Sequence, residues 1–209
     1  MRPESFPYRT MNLASSSTAI PVIDLADFRL RPIVAADQPA VFAGLSDPAV
    51  TGYYGISYET PESAQAQMDW YELVWRTRIG AWWAICERAR PERLIGTCGI
   101  YDWESGHHCA ETGFWLLPSY WGKGVMRRVL PAMYRYCFAT LGVHRIQARV
   151  EPDNAASWHL LESIGFRLEG ILRECELKNE RYVDLRCYSA LSTDPGWRQT
   201  PTQDQELNA

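Results

Sequence analysis

A Gly-x-Gly segment separates a strand-like run from a helical pattern near the middle of the chain. Gly122-Lys123-Gly124 follows the strand-like run 110–117, and from Val125 to Leu141 apolar residues recur at three- and four-residue steps. The first amides of a helix have no intrahelical partner, and the helix dipole adds about half a positive charge there. The segment therefore indicates a diphosphate site, with a simple tight turn as the alternative.

Two well-known phosphate-binding motifs do not fit this segment. A dinucleotide-binding Gly-x-Gly-x-x-Gly would need a third glycine where the chain has Arg127. A Walker loop would need Gly-Lys followed by Ser or Thr, and here Lys123 is followed by Gly124.

A metal site is a second possible chemistry, because His107, His108, Cys109 and Glu111 crowd together and all four residue types can bind zinc. A strand that begins near Cys109 would place Cys109 and Glu111 on one face and leave the histidines in a loop. No second ligand pair follows in the sequence. We therefore expect no bound metal.

The elements that position the loop are predicted to form one domain over residues 26–192, between mobile tails at 1–25 and 193–209. The pattern predicts a strand, two helices, a meander of three strands, a helix, a strand, a helix and a closing hairpin around Asn179. The strands are predicted at 28–31, 82–87, 94–103, 110–117, 144–150, 172–177 and 183–191, and the helices at 37–45, 60–80, 125–141 and 154–164. Pro131 should kink the central helix.

Composition excludes several classes of protein. The 209 residues are 46% hydrophobic and 22% charged, with a net charge of -4 and no basic block, so we expect no nucleic-acid partner. No apolar run of about 18 residues or export signal is present, so we expect no membrane partner. Six scattered cysteines without a Cys-x-x-Cys pair indicate reduced thiols and a cytoplasmic location.

Several motifs together resemble the GNAT acetyltransferases. Residues 120–126 (YWGKGVM) resemble their pyrophosphate loop, and residues 151–166, from Glu-Pro-Asp-Asn to Gly-Phe, resemble their later helix. Residues 110–116 and 170–172 resemble the RimJ/RimL branch, which acetylates amino termini of ribosomal proteins. The resemblance covers about 28–191 and implies an α/β (α+β) fold, with a mixed, mostly antiparallel splayed sheet and helices on both faces. It also implies acetyl-CoA as co-substrate.

The resemblance also implies a set of CoA-binding residues. These are Phe114, Trp115, Leu116, Trp121, Gly122, Lys123, Gly124, Val125, Met126, Asn154 and Ser157. Many members protonate the leaving thiolate with a tyrosine, but this chain has Leu161 at that position. Ser157, one turn earlier, matches the serine that is a candidate for the role in the RimJ/RimL branch. An ordinary helix serine is the alternative.

Acetyl transfer needs a neutral amine, and Glu111 is the first candidate for the base, acting through water. A solvated or hairpin-paired carboxylate is the alternative for Glu111. Glu176 matches an acidic position of the branch and could bind or deprotonate the acceptor, or could form a salt bridge in the closing hairpin. The family's acceptor groove borders the region of Tyr53, Tyr54 and Tyr58.

Three functions remain open at this point. The first is acetyl-CoA-dependent acetylation of a protein N-terminal α-amine, whose pKa near ~8 needs less help than that of lysine near ~10.4. The second is acetylation of a small amine such as an aminoglycoside, a polyamine or an amino-acid analogue. The third is a non-catalytic acyl-CoA-binding module. The chain is expected to be a monomer or a homodimer.

Overall fold

An eight-stranded sheet forms the centre of the computed structural model, which describes residues 20–178 and 180–197. Its spatial order is β1-β2-β3-β4-β5-β6-β8-β7, and neighbouring strands are antiparallel except β5 and β6. The strands are β1 (Ile23–Asp24), β2 (Phe28–Pro32), β3 (Ala81–Glu87), β4 (Arg90–Glu104), β5 (Cys109–Leu116), β6 (Arg145–Val150), β7 (Arg167–Lys178) and β8 (Arg181–Leu191).

Five α-helices among the described residues cover the two faces of the sheet. They are α1 (Gln38–Leu45), α2 (Pro48–Thr51), α3 (Gln65–Arg76), α4 (Val125–Ala139) and α5 (Ala155–Ser163). This arrangement confirms the expected α/β class with a mixed, mostly antiparallel sheet. The order of elements also agrees with the prediction, apart from the added β1 and α2.

The central strands are buried on both faces because helices cover both. In β3, whose first six residues are all buried, Trp82 and Trp83 alternate between the faces. Trp83 belongs to the core that α4 covers, the first core, whereas Trp82 belongs to the core beneath α1 and α3, the second core. Two separate apolar layers therefore hold the sheet in place.

The strands β5 and β6 are paired over only three residue pairs. Cys109, Ala110 and Glu111 lie beside Arg145, Ile146 and Gln147, and beyond them the strands part. The remainder of β5 stays paired with β4 as far as Leu116. The sheet is therefore splayed at its centre, as the family resemblance implies.

The fold extends beyond the predicted limits of 26–192 at both ends. Ile23 and Asp24 pair with β2, and the Trp83 indole N–H donates to the Pro21 carbonyl at 2.9 Å. Trp197 is 5% exposed and packs against Tyr134 and other core rings. Residues 20–25 and 193–197 are thus parts of the domain, which corrects the predicted tails. The rest of both tails and Asn179 lie outside the described residues.

Helix α4 runs from Val125 to Ala139 without interruption at Pro131. Its inner face contributes several fully buried side chains to the first core, so packing holds the helix together where the proline removes a hydrogen bond. The buried residues are Val125, Met126, Val129, Leu130, Met133, Tyr134 and Cys137.

Candidate active site

The loop between β5 and α4 is held open by two glycines in the left-handed region. Gly122 has φ +70° and Gly124 has φ +69°, and among the described residues no atom beyond the adjoining chain lies within 4 Å of where a Cβ would stand at either. Gly124 is the N-cap of α4 and provides no side-chain cap for the first-turn amides. The Trp121 indole N–H donates to the Leu116 carbonyl at 2.7 Å and fastens the loop to the end of β5.

A groove of about 670 Å³ begins at this loop and continues between the parted strands β5 and β6. One wall is the end of β5, and the other is formed by β6 and α5. Ten of the eleven predicted CoA-binding residues line it: Phe114, Trp115, Leu116, Trp121, Gly122, Gly124, Val125, Met126, Asn154 and Ser157. The glycine cradle and the free helix start fit a diphosphate, and the long groove fits the rest of a CoA molecule.

Two of the eleven predicted residues, Trp115 and Lys123, have side chains that point away from the groove. Trp115 is 3% exposed and its indole N–H donates to the Tyr71 hydroxyl at 3.3 Å, so its side chain is part of the second core. The Lys123 ammonium lies 5.3 Å from the centre of the Tyr120 ring and lines a separate basic pocket outside the groove. The Trp115 side chain points away from the groove because side chains alternate between the two faces of β5. The Lys123 side chain points away because the loop turns at that residue.

Asn154 and Ser157 form the start of α5 on the other wall of the groove. Asn154 is the N-cap, and its Oδ1 accepts a hydrogen bond from the Ser157 backbone N–H at 3.2 Å. The Ser157 hydroxyl is half-buried and has no hydrogen-bond partner within the described residues. It is therefore free to donate to a ligand in the groove.

Glu111 lies on the opposite side of β5 from the α4 core and is 5% exposed. The Tyr101 hydroxyl donates to Glu111 Oε1 at 2.5 Å. Arg149 donates from Nε and Nη2 to Glu111 Oε2 at 3.1 and 2.6 Å. These bonds occupy both carboxylate oxygens of Glu111, which a base would have to use. Their geometry argues against the predicted role of Glu111 as the first candidate for the base.

The same cluster raises two neighbouring pKa values. The hydrogen bond to Glu111 is the main cause of the raised pKa of Arg149, and the charge of Glu176 adds to it. Burial, followed by the bond to Glu111, raises the pKa of Tyr101. Tyr101 is thus a neutral donor and Arg149 a permanent cation.

Glu176 is exposed on β7, and no hydrogen bond or ion pair engages its carboxylate within the described part of the chain. Lys178, two residues on and thus on the same face of β7, contacts the Gly52 carbonyl and the Glu151 carboxylate, which lines the groove. Glu176 is not among the residues that line the groove, but its charge acts on Arg149, which does line it, and its carboxylate is available.

The three predicted acceptor tyrosines separate into two groups. Tyr53 and Tyr54 line the groove, and the Lys178 ammonium lies 5.5 Å from the centre of the Tyr53 ring. Burial raises the pKa of Tyr54. Tyr58 does not line the groove, because its hydroxyl donates to Gln67 Oε1 at 3.1 Å and its ring packs against the second core. A role for Tyr58 in acceptor binding stays a prediction, and it would need the acceptor to reach beyond the residues that line the groove.

Tyr101 and Arg149 were not among the residues predicted from the sequence, although strand alternation could have indicated both. Ile146, Ala148 and Val150 point to the α4 core, which leaves Arg149 on the face of Glu111. Tyr101 is the direct partner of Glu111 across β4 and β5. The sequence pattern does not show that β5 pairs with β6, because these two segments are far apart in the chain.

Within residues 20–178 and 180–197, no three His, Cys, Asp or Glu side chains are grouped as metal ligands. His108 Nδ1 lies 3.0 Å from the Gly142 carbonyl, and the Cys109 thiol donates to the His107 carbonyl at 3.3 Å. In the same residues, no helix has the length and apolar content needed to span a membrane.

This architecture of loop, groove and splayed strands is that of an acetyltransferase. The family model described as the acetyltransferase (GNAT) domain matches residues 27–167, and the chain belongs to the GNAT acetyltransferase family. It is an N-acetyltransferase whose co-substrate is acetyl-CoA.

Three similar proteins illustrate the range of relatives. The uncharacterized N-acetyltransferase YoaA of Bacillus subtilis (strain 168) is 35% identical over 170 residues, which are 81% of this chain and 96% of YoaA. The [ribosomal protein uS5]-alanine N-acetyltransferase of Escherichia coli (strain K12) is 34% identical over 107 residues, 51% of this chain and 54% of that protein. The solved structure of RimL, a ribosomal L7/L12 α-N-protein acetyltransferase in complex with coenzyme A, has a TM-score of 0.74 at 20% identity, covering 82% of this chain and 98% of RimL.

Proposed function

We propose that this protein transfers an acetyl group from acetyl-CoA to the α-amine of a protein N-terminus. The observation that carries the proposal is the groove between β5 and β6, which leads from the free start of α4 to Glu111 and Arg149. The charge of Glu176 acts on Arg149 from outside the lining of the groove. The end of the groove at the start of α4 suits a diphosphate, and the end near Glu111 and Arg149 suits an amine. Relatives named as acetyltransferases of ribosomal-protein N-termini support this choice of acceptor.

The groove divides the binding of the co-substrate among three elements. The amides that follow Gly122 and Gly124 would hold the diphosphate, and the backbone of β5 beyond Thr112 and the side chain of Asn154 would hold the pantetheine arm. When bound, acetyl-CoA supplies a thioester carbonyl, which is the group that an amine attacks.

The residues near the chemistry have different environments and therefore different roles. Glu176 is exposed and has no ion-pair partner among residues 20–178 and 180–197, so we assign to it the role of accepting the proton that the amine loses. Glu111 is engaged on both oxygens and positions Arg149 instead. The free hydroxyl of Ser157 lies in the groove and donates a proton to the departing sulfur.

The test is thiol release from acetyl-CoA across a panel of acceptors: peptides with free N-termini, the same peptides with blocked N-termini and an internal lysine, polyamines and aminoglycosides. We expect turnover with free N-terminal α-amines. Turnover with polyamines or aminoglycosides alone would assign the small-amine function instead. CoA binding without turnover on any amine would leave only a binding module.

A pair of variants tests the role of Glu176. Glu176→Gln should lower kcat by roughly 10²-fold or more, as for a positioned base. Glu174→Gln, on the same exposed strand, is the matched control and should turn over at the wild-type rate. Wild-type kcat in Glu176→Gln would contradict the assignment.

A further inference from the structure

We propose that Arg149 selects acceptors in which the reacting amine stands next to a carbonyl or carboxylate oxygen. This inference rests on the proposed function and deepens it by naming a substrate class, the α-amino carbonyl compounds. Peptide N-termini, amino acids and amino-acid amides belong to this class. Polyamines and simple alkylamines do not, because they have no oxygen beside the amine.

The guanidinium of Arg149 has one engaged edge and one free edge. Nε and Nη2 donate to Glu111, whereas Nη1 has no hydrogen-bond partner within residues 20–178 and 180–197. The Arg149 side chain is 42% exposed, although that of its partner Glu111 is only 7% exposed. Arg149 also lines the groove. Its free donors are therefore accessible to a molecule in the groove.

Glu111 fixes the orientation of these free donors. A guanidinium is planar, so two hydrogen bonds along one edge also set the direction of the other edge. The carboxylate is itself held by the Tyr101 hydroxyl and is nearly buried. An arginine positioned in this way loses little conformational freedom when a ligand binds, which favours recognition of a specific oxygen.

The charges around Arg149 suit an amine and an oxygen side by side. Glu176, which adds to the raised pKa of Arg149, provides a carboxylate for the amine. The free edge of Arg149 provides N–H donors for the neighbouring oxygen. An alkylamine would leave those donors without a partner, and a second amine cation of a polyamine would be repelled by the guanidinium.

The first experiment uses the wild-type protein with paired acceptors, an N-terminal alanyl peptide and the matching amine in which a methylene replaces the first carbonyl. Rates are expressed per neutral amine, because the two amines have different pKa values. We expect kcat/KM to be at least tenfold higher for the alanyl peptide, mainly through a lower KM.

The second experiment repeats this comparison in Arg149→Gln, where the preference should fall below about threefold. Arg145→Gln is the matched control, since Arg145 lies on the same strand and pairs with Glu169 away from the groove. It should keep the wild-type preference. Because Arg149→Gln leaves a buried carboxylate without its cation, the double variant Glu111→Gln/Arg149→Gln is measured as well and should also lose the preference.

Two outcomes would overturn the inference alone: equal kcat/KM for the two acceptors in the wild type, or a preference that survives in both Arg149 variants. The proposed function would still stand in either case, because acetylation of the α-amine would have been observed. Absence of thiol release with every amine would overturn the proposed function, and the inference with it.

Discussion

The two ends of β5 use the same strand for opposite purposes. At its amino end, Cys109 to Glu111 pair with strands on both sides, and Glu111 is tied to β4 through Tyr101 and to β6 through Arg149. At the carboxyl end of β5, β6 is no longer paired with it, and the chain turns through two exposed glycines, Gly122 and Gly124, into α4. We call these the closed end and the open end.

The closed end and the open end present charge to a ligand by different groups. The closed end uses side chains, which must be held by partners because a nearly buried carboxylate is costly without them. The open end uses backbone amides that are left free by the geometry of a helix start. Substitutions at the closed end should therefore affect stability and turnover, whereas those at the open end should affect CoA affinity.

The largest effect is expected from breaking the closed end. Glu111→Gln should lower kcat/KM for α-amine acceptors by about 10²-fold, because Arg149 loses the carboxylate that positions it. The free energy of unfolding should fall by about 2 kcal/mol, since two charge-assisted bonds are weakened. Steady-state kinetics from pH 6 to 9, urea unfolding and calorimetry with CoA measure these effects.

The pH profile separates positioning from base catalysis at this end. If Glu111 only positions Arg149, the profile of Glu111→Gln should keep the wild-type shape, and that of Glu176→Gln should follow the amine pKa near ~8. A steeper profile in Glu111→Gln than in Glu176→Gln would return the role of base to Glu111. The dissociation constant for CoA should stay at the wild-type value in both variants.

A valine at the open end tests the glycine cradle. Gly124→Val should raise the dissociation constant for CoA at least tenfold, about 1.4 kcal/mol, because a β-branched residue is strained at φ +69° and fills the space of the diphosphate. Gly142→Val is the matched control, since Gly142 follows the other end of α4, has φ +72° and also has open space at its Cβ. Equal losses of CoA affinity in the two variants, measured by calorimetry, would show that the effect is strain alone.

A smaller effect is expected at Ser157, which faces the open part of the groove. Ser157→Ala should lower kcat about tenfold without shifting the pH at which the rate rises, since the lost donor acts on the leaving group. Ser163→Ala is the control, because the Ser163 hydroxyl donates to the Leu160 carbonyl at the end of the same helix. A wild-type kcat in Ser157→Ala would remove the assignment.

The smallest effect concerns acid stability beside the closed end. The pKa of Glu169 is lowered to about 2. The hydrogen bond from Arg145 is the largest cause, and the hydrogen bond from Ser189 is the second largest. A lowered folded-state pKa means that the stabilisation is present above the unfolded pKa and is lost as pH falls towards 2. Because both side chains are partly exposed, we expect less than about 1 kcal/mol. Urea unfolding of Glu169→Gln should show a smaller loss between pH 5 and 2.5 than the wild type, and an identical loss would contradict this.

Much of the open end was predictable from the sequence because its signals are local. Gly122, Gly124 and the apolar periodicity of α4 lie in one continuous segment, and Asn154 and Ser157 lie three residues apart at a helix start. The closed end was only partly predictable. The function of Glu111 depends on Tyr101 and Arg149, which belong to two other strands, and Tyr58 was assigned to the groove although its hydroxyl is turned towards Gln67.

The sequence by itself determined the family, the order of the elements and the glycine loop, because these depend on periodicity and on residues close together in the chain. The tertiary structure alone decided which charges meet. The pairing of β5 with β6 for only three residues both opens the groove and brings Arg149 to Glu111, and the closing hairpin brings Glu176 beside them. Such contacts depend on how far two distant strands remain together, which is set by the packing of both cores and not by any single segment.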